Sequence, residues 1–240
     1  MLIDAKNFKS YQALNHAIKT SSDKDIELVN LLGDRYIGDA LVDKNIKITS
    51  GIPGNALAAY MDGARIEVFG NTSDATGDTM NNGEVIIHGN AGDTCGYAMR
   101  GGEIYVKGNT GYRSGIHMKA YMDKKPVMII GNKAGSFLAE YMAGGYIVVL
   151  GLDNPKEIVG DFSFKGMYGG KVFIRGDFKS ESNRICVNKA TKEDILEIEE
   201  YLKKFSSYFN YDYNDLIKDG FSVVTPNSNN PFKAHYVVNL

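Results

Sequence analysis

The chain has 240 residues, 43% hydrophobic and 23% charged, the composition of an ordinary globular protein with one or two domains. Charge is balanced, with 27 Lys and Arg against 29 Asp and Glu, and it stays balanced at 5 against 5 in residues 1–36 and 14 against 14 in residues 37–176, so no basic face is left for nucleic acid. No run of about 18 apolar residues is available to cross a membrane, and the opening MLIDAKNFKS lacks the features of a signal peptide, so a cytoplasmic location is expected.

Residues 1–36 are expected to form an N-terminal helical cap. Phe8, Tyr11, Leu14, Ala17 and Ile18 make a helical stripe within residues 5–20. From 37 to 187 the chain is repetitive. Glycine is abundant (27) while proline is scarce (5) and tryptophan absent, which argues for recurrent backbone corners and against a disordered linker. Six segments share a ten-residue frame that opens on methionine: MDGARIEVFG (61–70), MNNGEVIIHG (80–89), MRGGEIYVKG (99–108), MDKKPVMIIG (122–131), MAGGYIVVLG (142–151) and MYGGKVFIRG (167–176). LVDKNIKITS (41–50) is a degenerate seventh, and in the regular part the unit is 19 residues long. Small residues spaced GxxGxxxG recur between the segments, as at Gly89, Gly92 and Gly96, and asparagine follows glycine at Asn55, Asn71, Asn90, Asn109 and Asn132.

Each segment alternates β-branched residues with others, giving inward pairs Ile46/Ile48, Ile66/Val68, Val85/Ile87, Ile104/Val106, Val127/Ile129, Ile147/Val149 and Val172/Ile174. A strand every 19 or so residues with no helical pattern between requires each coil to return and lie parallel to the last. The expected fold is an all-β core, a right-handed parallel β-helix built as a single-stranded solenoid of about seven coils, with flanking N- and C-terminal helices. The asparagines are expected to stack from coil to coil.

Outward positions in the middle of the strands become continuously apolar from Ile86 onward, through Tyr105, Met128, Val148 and Phe173. Such a strip has to be covered. Two coverings fit: a partner subunit, which makes these five residues the candidate interface, or the chain's own C-terminal helix. That helix is predicted from Thr191, with Asp194 completing an approximate capping box and Ile195, Ile198, Leu202 and Phe205 on one face. Residues 188–240 thus form a C-terminal helix followed by an extended tail, with Pro226, SerAsnAsn and Pro231 marking the loop character from Gly220 on.

The glycine corners, methionine and Val/Ile strand, repeated in register through runs such as GNAGDTCGYAMRGGEIYVKG (89–108) and AEYMAGGYIVVLG (139–151), resemble the GXGXG domain. That domain ends the large subunit of glutamate synthase and also appears in one of the subunits of formylmethanofuran dehydrogenase. The similarity covers roughly residues 33–176 and is closest to glutamate synthase around GDRYIGDAL (33–41) and IPGNALAAYMDGA (52–64). It implies a parallel β-helix of about seven turns and a separate, noncatalytic subunit that organises glutaminase and FMN-synthase subunits. FMN and the Fe–S cluster would then sit on those partners and no cofactor on this chain; self-association into a homo-oligomer stays open.

The chain's own residues agree with a noncatalytic role. It begins Met1, Leu2, where an amidotransferase of this kind uses an N-terminal cysteine, and no βα alternation of a flavin barrel is visible. Two cysteines, Cys95 and Cys186, are too few for a three-thiolate cluster. The in-frame methionines read as core packing, His16, His88, His117 and His235 as solvated or capping groups, and Asp74, Asp78 and Asp93 as corner residues bonding local backbone. The alternatives are a β-helix subunit of a formylmethanofuran dehydrogenase type complex and a free-standing carbohydrate-active β-helix. The second needs a clustered acidic and basic groove, which the mixed outward slot Arg65, Glu84, Glu103, Pro126, Tyr146, Lys171 does not supply.

Overall fold

A computed structural model describes residues 1–154 and 156–227. The elements in chain order are β1 (Leu2–Asp4), α1 (Tyr11–Thr20), β2 (Asp25–Val29), β3 (Leu31–Leu32), β4 (Asn45–Ile48), β5 (Gly51–Ile52), β6 (Asp62–Val68), β7 (Asn82–Ile87), β8 (Glu103–Val106), β9 (Val127–Ile130), β10 (Ala143–Val149), β11 (Gly169–Arg175), β12 (Ile185–Lys189), α2 (Lys192–Phe209), α3 (Tyr213–Ile217) and β13 (Phe221–Pro226). One sheet runs in the order β1-β2-β4-β6-β7-β8-β9-β10-β11-β13-β12, parallel as far as β11 and antiparallel through β13 and β12. This is a parallel β-solenoid, each coil laying one strand beside the strand of the coil before.

The register makes two continuous inward columns. One runs Ile26, Ile46, Ile66, Val85, Ile104, Met128, Ile147, Val172, and the other Leu28, Ile48, Val68, Ile87, Val106, Ile130, Val149, Ile174. All are buried in one core with a third column, Leu41, Met61, Met80, Met99, Met118, Met142 and Met167. β-branched side chains suit the pleated face, and the unbranched thioether of methionine fills what remains.

The corner opposite the strand closes each coil. In the coil of Gly77, φ is positive at Ala75 (57°), Gly77 (74°) and Thr79 (51°), every second residue. The same alternation recurs at 36/38/40, 56/58/60, 94/96/98, 113/115/117, 137/139/141 and 162/164/166. Two turns close within the corner, Asp78 N–H donating to the Ala75 carbonyl and Met80 N–H to that of Gly77, both at 3.2 Å. The three positive-φ residues direct their N–H groups outward along the solenoid: Ala75 and Thr79 donate to Asp93 and Tyr97 of the next coil, Gly77 to Leu57 of the previous one, each at 2.8 Å. The corner backbone is thus paired although it is neither helix nor strand. A left-handed L-residue costs roughly 1–2 kcal/mol, and these inter-coil bonds hold it there.

Four expectations are corrected. The unit written as 122–131 is out of frame: Met118, 19 residues after Met99, fills the buried slot, and Met122 is 84% exposed on an insertion. Gly131 stands opposite Lys107, one position earlier than a closing glycine should, so counting back from it misplaces the strand by one residue. A one-residue slip exchanges the faces, and Met128 and Ile130 point inward while Val127 and Ile129 point out. Second, residues 1–36 are not only a helical cap, because β1 and β2 extend the sheet; the helix starts at Tyr11, with the Ser10 hydroxyl accepting from Ala13 N–H, and buries Leu14 and Ile18. Third, residues from Gly220 are not all loop, since Phe221–Pro226 is a strand between β11 and β12; the Ser228–Asn230 stretch and Pro231 lie outside the described residues. Fourth, Asn55 leaves the asparagine ladder and accepts from the Ser73 hydroxyl at 2.7 Å. Asn71, Asn90, Asn109 and Asn132 do stack, the side-chain oxygens of the first three accepting from the next coil at 2.8–2.9 Å.

Two substitutions in one corner should move stability in opposite directions. At Gly77 an added Cβ would meet the Ile104 side chain at a positive φ, so Gly77→Ala should destabilise by about 1–3 kcal/mol. At half-buried Ala75 the strain of the conformation is already present, and Ala75→Gly should be neutral or stabilising by up to about 1 kcal/mol. Urea unfolding of the two variants decides it, and a shift of the same sign in both would contradict the corner geometry.

Candidate functional site

The apolar strip is the outward face that most needs explaining, and the chain covers it itself. Ile86, Tyr105, Ile129, Val148 and Phe173 form one buried cluster with Ile198, Leu202, Phe205 and Phe209 of α2 and with Leu216, Phe221 and Val223. Thr191 and Asp194 complete a capping box at the start of this helix, and Asn210 ends it in the left-handed conformation. Of the five candidate interface residues, Ile86, Tyr105, Val148 and Phe173 are fully buried in this layer, while Met128 faces the solenoid interior and Ile129 takes its place. With α2 in position, none of the five is available to another molecule.

A line of polar groups seals one flank of the helix. Lys171 bonds Asp194 and Glu197, both at 2.8 Å; Lys204 bonds both oxygens of Glu103, at 2.9 and 2.7 Å; Tyr208 donates to Glu84 at 2.7 Å. Glu84 also accepts from Arg65 Nε at 3.0 Å, and Tyr105, otherwise buried, donates its hydroxyl to Glu103. The outward slot Arg65, Glu84, Glu103, Tyr146, Lys171 is therefore an ion-pair seam for α2, with Val127 rather than Pro126 in the fourth place. Burial alone pulls the Lys204 ammonium down, and its bonds to Glu103 and attraction to Glu84 more than offset this, so it is held above its ordinary value. Burial likewise raises the Tyr208 hydroxyl, which the Glu84 carboxylate pushes further.

The other flank ends at His88. Its Nε2 lies 3.0 Å from Glu67, its ring stacks on Phe69 at 4.6 Å, and Phe209 meets its edge. Burial pushes the Glu67 carboxyl up, but the hydrogen bonds from His88 and Arg65 outweigh it and hold Glu67 below its ordinary value. His117 stacks on Tyr141 at 5.2 Å in the corner, His16 is exposed on α1, and His235 lies outside the described residues.

The remaining reactive side chains have structural roles. Asp74 and Asp93 each accept a backbone N–H of the next coil, from Asp93 at 2.9 Å and Tyr112 at 2.8 Å, and Asp78 accepts from the Thr79 hydroxyl. Asp74 and Asp93 are rungs along the solenoid and Asp78 bonds within its own corner, an arrangement unlike a facing pair of catalytic carboxylates. Cys95 is fully buried, and desolvation pushes its thiol up to about 12, which keeps it protonated and unreactive at neutral pH. Cys186 is a half-buried free thiol on β12. Among the described residues no group of three or more His, Cys, Asp or Glu could hold a metal ion, and no helix is long and apolar enough to cross a membrane.

Positive φ at every second corner residue is the conformation that a Gly-x-Gly-x-Gly spacing serves, and the family model described as the GXGXG motif matches residues 14–229. The chain belongs to the GXGXG family. This is the domain found in the large subunit of glutamate synthase. The chain is also similar to the uncharacterized protein MJ1350 of Methanocaldococcus jannaschii, 44% identical over 255 aligned positions that cover 100% of this chain and 97% of that protein. Within the GXGXG fold of this chain, α2 is the feature whose position the glycine repeat does not dictate, since it is fixed by the apolar strip and its seam.

Replacing Val148 by Lys would leave an ammonium under α2 without a partner, a cost of several kcal/mol, whereas Leu196→Lys, on the helix's exposed side, should leave the melting temperature unchanged. An unchanged melt for Val148→Lys would mean that α2 does not hold the strip. Acid should loosen the same seam. Asp194 is held below its ordinary 3.8, first by the bond from Lys171 and then by Thr191 N–H. Because the unfolded chain takes up that proton first, the stabilisation is complete above 3.8 and is lost as pH falls through the lowered value. Melts at pH 6 down to 2.5 should show this fall, and Asp194→Asn should lower the neutral-pH melting temperature and make the fall shallower.

Proposed function

We propose that the chain is the noncatalytic β-helix subunit of a glutamate synthase complex, fixing the glutaminase and FMN-synthase subunits relative to one another for glutamate biosynthesis in the cytoplasm. The observation that carries this reading is membership of the GXGXG family on a chain whose Asp74, Asp93 and Cys95 are engaged in holding the solenoid together. Two cysteines cannot ligate a three-iron cluster, and the one at the core is a protonated, buried thiol. FMN and the Fe–S cluster then belong to the partner subunits, and this chain contributes position rather than chemistry. Rigid alignment of two sites is a way for such a body to raise a rate without touching the reacting atoms.

Because α2 occupies the outward strip, the partners in this reading dock on the corner face or the solenoid ends. The purified chain should be colourless, bind no FMN and turn over neither glutamine nor 2-oxoglutarate. Mixed with separate glutaminase and FMN-synthase chains, it should co-elute in a complex burying on the order of 1,000 Å² or more and raise glutamine-dependent glutamate formation. Stoichiometric flavin on the isolated chain, or turnover without partners, would sink the proposal.

A further inference from the structure

Among the described residues the solenoid ends without a successor coil, and its end is built unlike its sides. In every earlier corner the first positive-φ residue donates its N–H forward, as Phe137 does to the Asp161 carbonyl at 2.8 Å, and in the later coils the residue three before it does the same, as Ala134 does to Ile158 at 3.1 Å. The equivalent donors in the last coil are Phe162 and Val159, and among the described residues no backbone carbonyl accepts from either. Both residues line a cavity of about 480 Å³ between this coil and the loop of residues 177–184.

The side chains around that cavity have a consistent chemistry. Phe162 stacks on Phe137 at 5.2 Å with the rings 24° apart, and Arg113 lies 4.8 Å over Phe137, so an aromatic column climbs the corner and stops at Phe162, which is 68% exposed. Lys165 and Arg184 also line the cavity, neither has an ion-pair partner among the described residues, and Ser180 and Ser182 stand beside them. Among the described residues no carboxylate lines it. A ring face, two cations and two N–H groups without an acceptor among the described residues therefore meet at a space large enough for a small molecule.

We propose that this end binds a small ligand made of a flat aromatic ring and an anionic group. The ring continues the Phe137–Phe162 stack, as an added aromatic layer does on a stacking platform. The anion is held by Lys165 and Arg184 and accepts from the Val159 and Phe162 N–H groups. The site is built from this chain's own residues, with nothing contributed by α2 or by a partner chain.

Adenosine monophosphate is the probe, titrated calorimetrically into the full chain beside adenosine and inorganic phosphate. The monophosphate should bind saturably at one site, at least tenfold more tightly than either fragment, and more weakly as salt is raised. Phe162→Ala and the double variant Lys165→Ala, Arg184→Ala should each weaken it at least tenfold while melting at the temperature of the unaltered chain. In the unaltered chain the amide resonances of Val159 and Phe162 should shift on titration, which tests the location without any variant. Absence of saturable binding, equal affinity for phosphate alone, shifts confined to another region, or affinity unaltered in both variants would each overturn the site.

Discussion

The whole molecule depends on the left-handed corner. A coil of 19 residues must reverse within a few residues while leaving its backbone able to pair with the coils on both sides. Alternating positive φ does this, since it turns the chain through two successive turns and still directs N–H groups both forward and back. The conformation is costly for L-residues, and at positions such as Arg113, Phe137 and Phe162 it is adopted by side chains with no intrinsic liking for it. At Arg113 and Phe137 the next coil supplies the acceptor, the carbonyls of Ser136 and Asp161. Stability is therefore a property of neighbours, as in other one-dimensional repeats, and the two ends need covering, which α1 does at one end and the 177–184 loop at the other.

That dependence explains what could be read from the sequence and what could not. Inward Val and Ile columns were legible because every coil repeats the same alternation, and the start of α2 was legible because Thr191 and Asp194 form a local capping box. The slip at residues 122–131 arose because an insertion after Met118 and a missing residue before Gly131 fall in the same coil, so methionine and glycine counts disagree. The spacing of 19 from Met61 through Met80 and Met99 to Met118 was the signal that could have resolved it. β2 was also within reach, since Ile26 and Leu28 alternate as Ile46 and Ile48 do, 20 residues earlier. The helical stripe around Leu14 masked it. The seam was out of reach, because pairing Lys204 with Glu103, 101 residues away, needs the docked helix before it can be seen.

The seam changes the meaning of the outward charges. Along its strand, Glu84 is one charge in the mixed outward slot. Packed, it accepts from Arg65 and Tyr208 and lies 3.8 Å from Lys204, so a cation there would face two others and strand a tyrosine hydroxyl. Single exposed ion pairs contribute little, but these share partners along one flank and are partly shielded by the helix above them. Their main effect is to set the rotation of α2, because the apolar contacts alone would tolerate sliding along a strip that is uniformly hydrophobic.

A fixed α2 in turn limits how this body can meet others. A partner competing for the strip would have to expose Phe205, Leu202 and Ile198 and separate the seam, and both costs are borne before any new contact forms. The corner face carries no such obligation. Its aromatic and charged side chains, Tyr97, His117, Tyr141, Arg113 and Phe137, are held in position by a backbone already paired on both sides, so a partner could bind there without reordering the solenoid. A surface whose backbone is fixed coil by coil loses little conformational entropy when it is bound, and the same rigidity would transmit the position of one partner to another along the column.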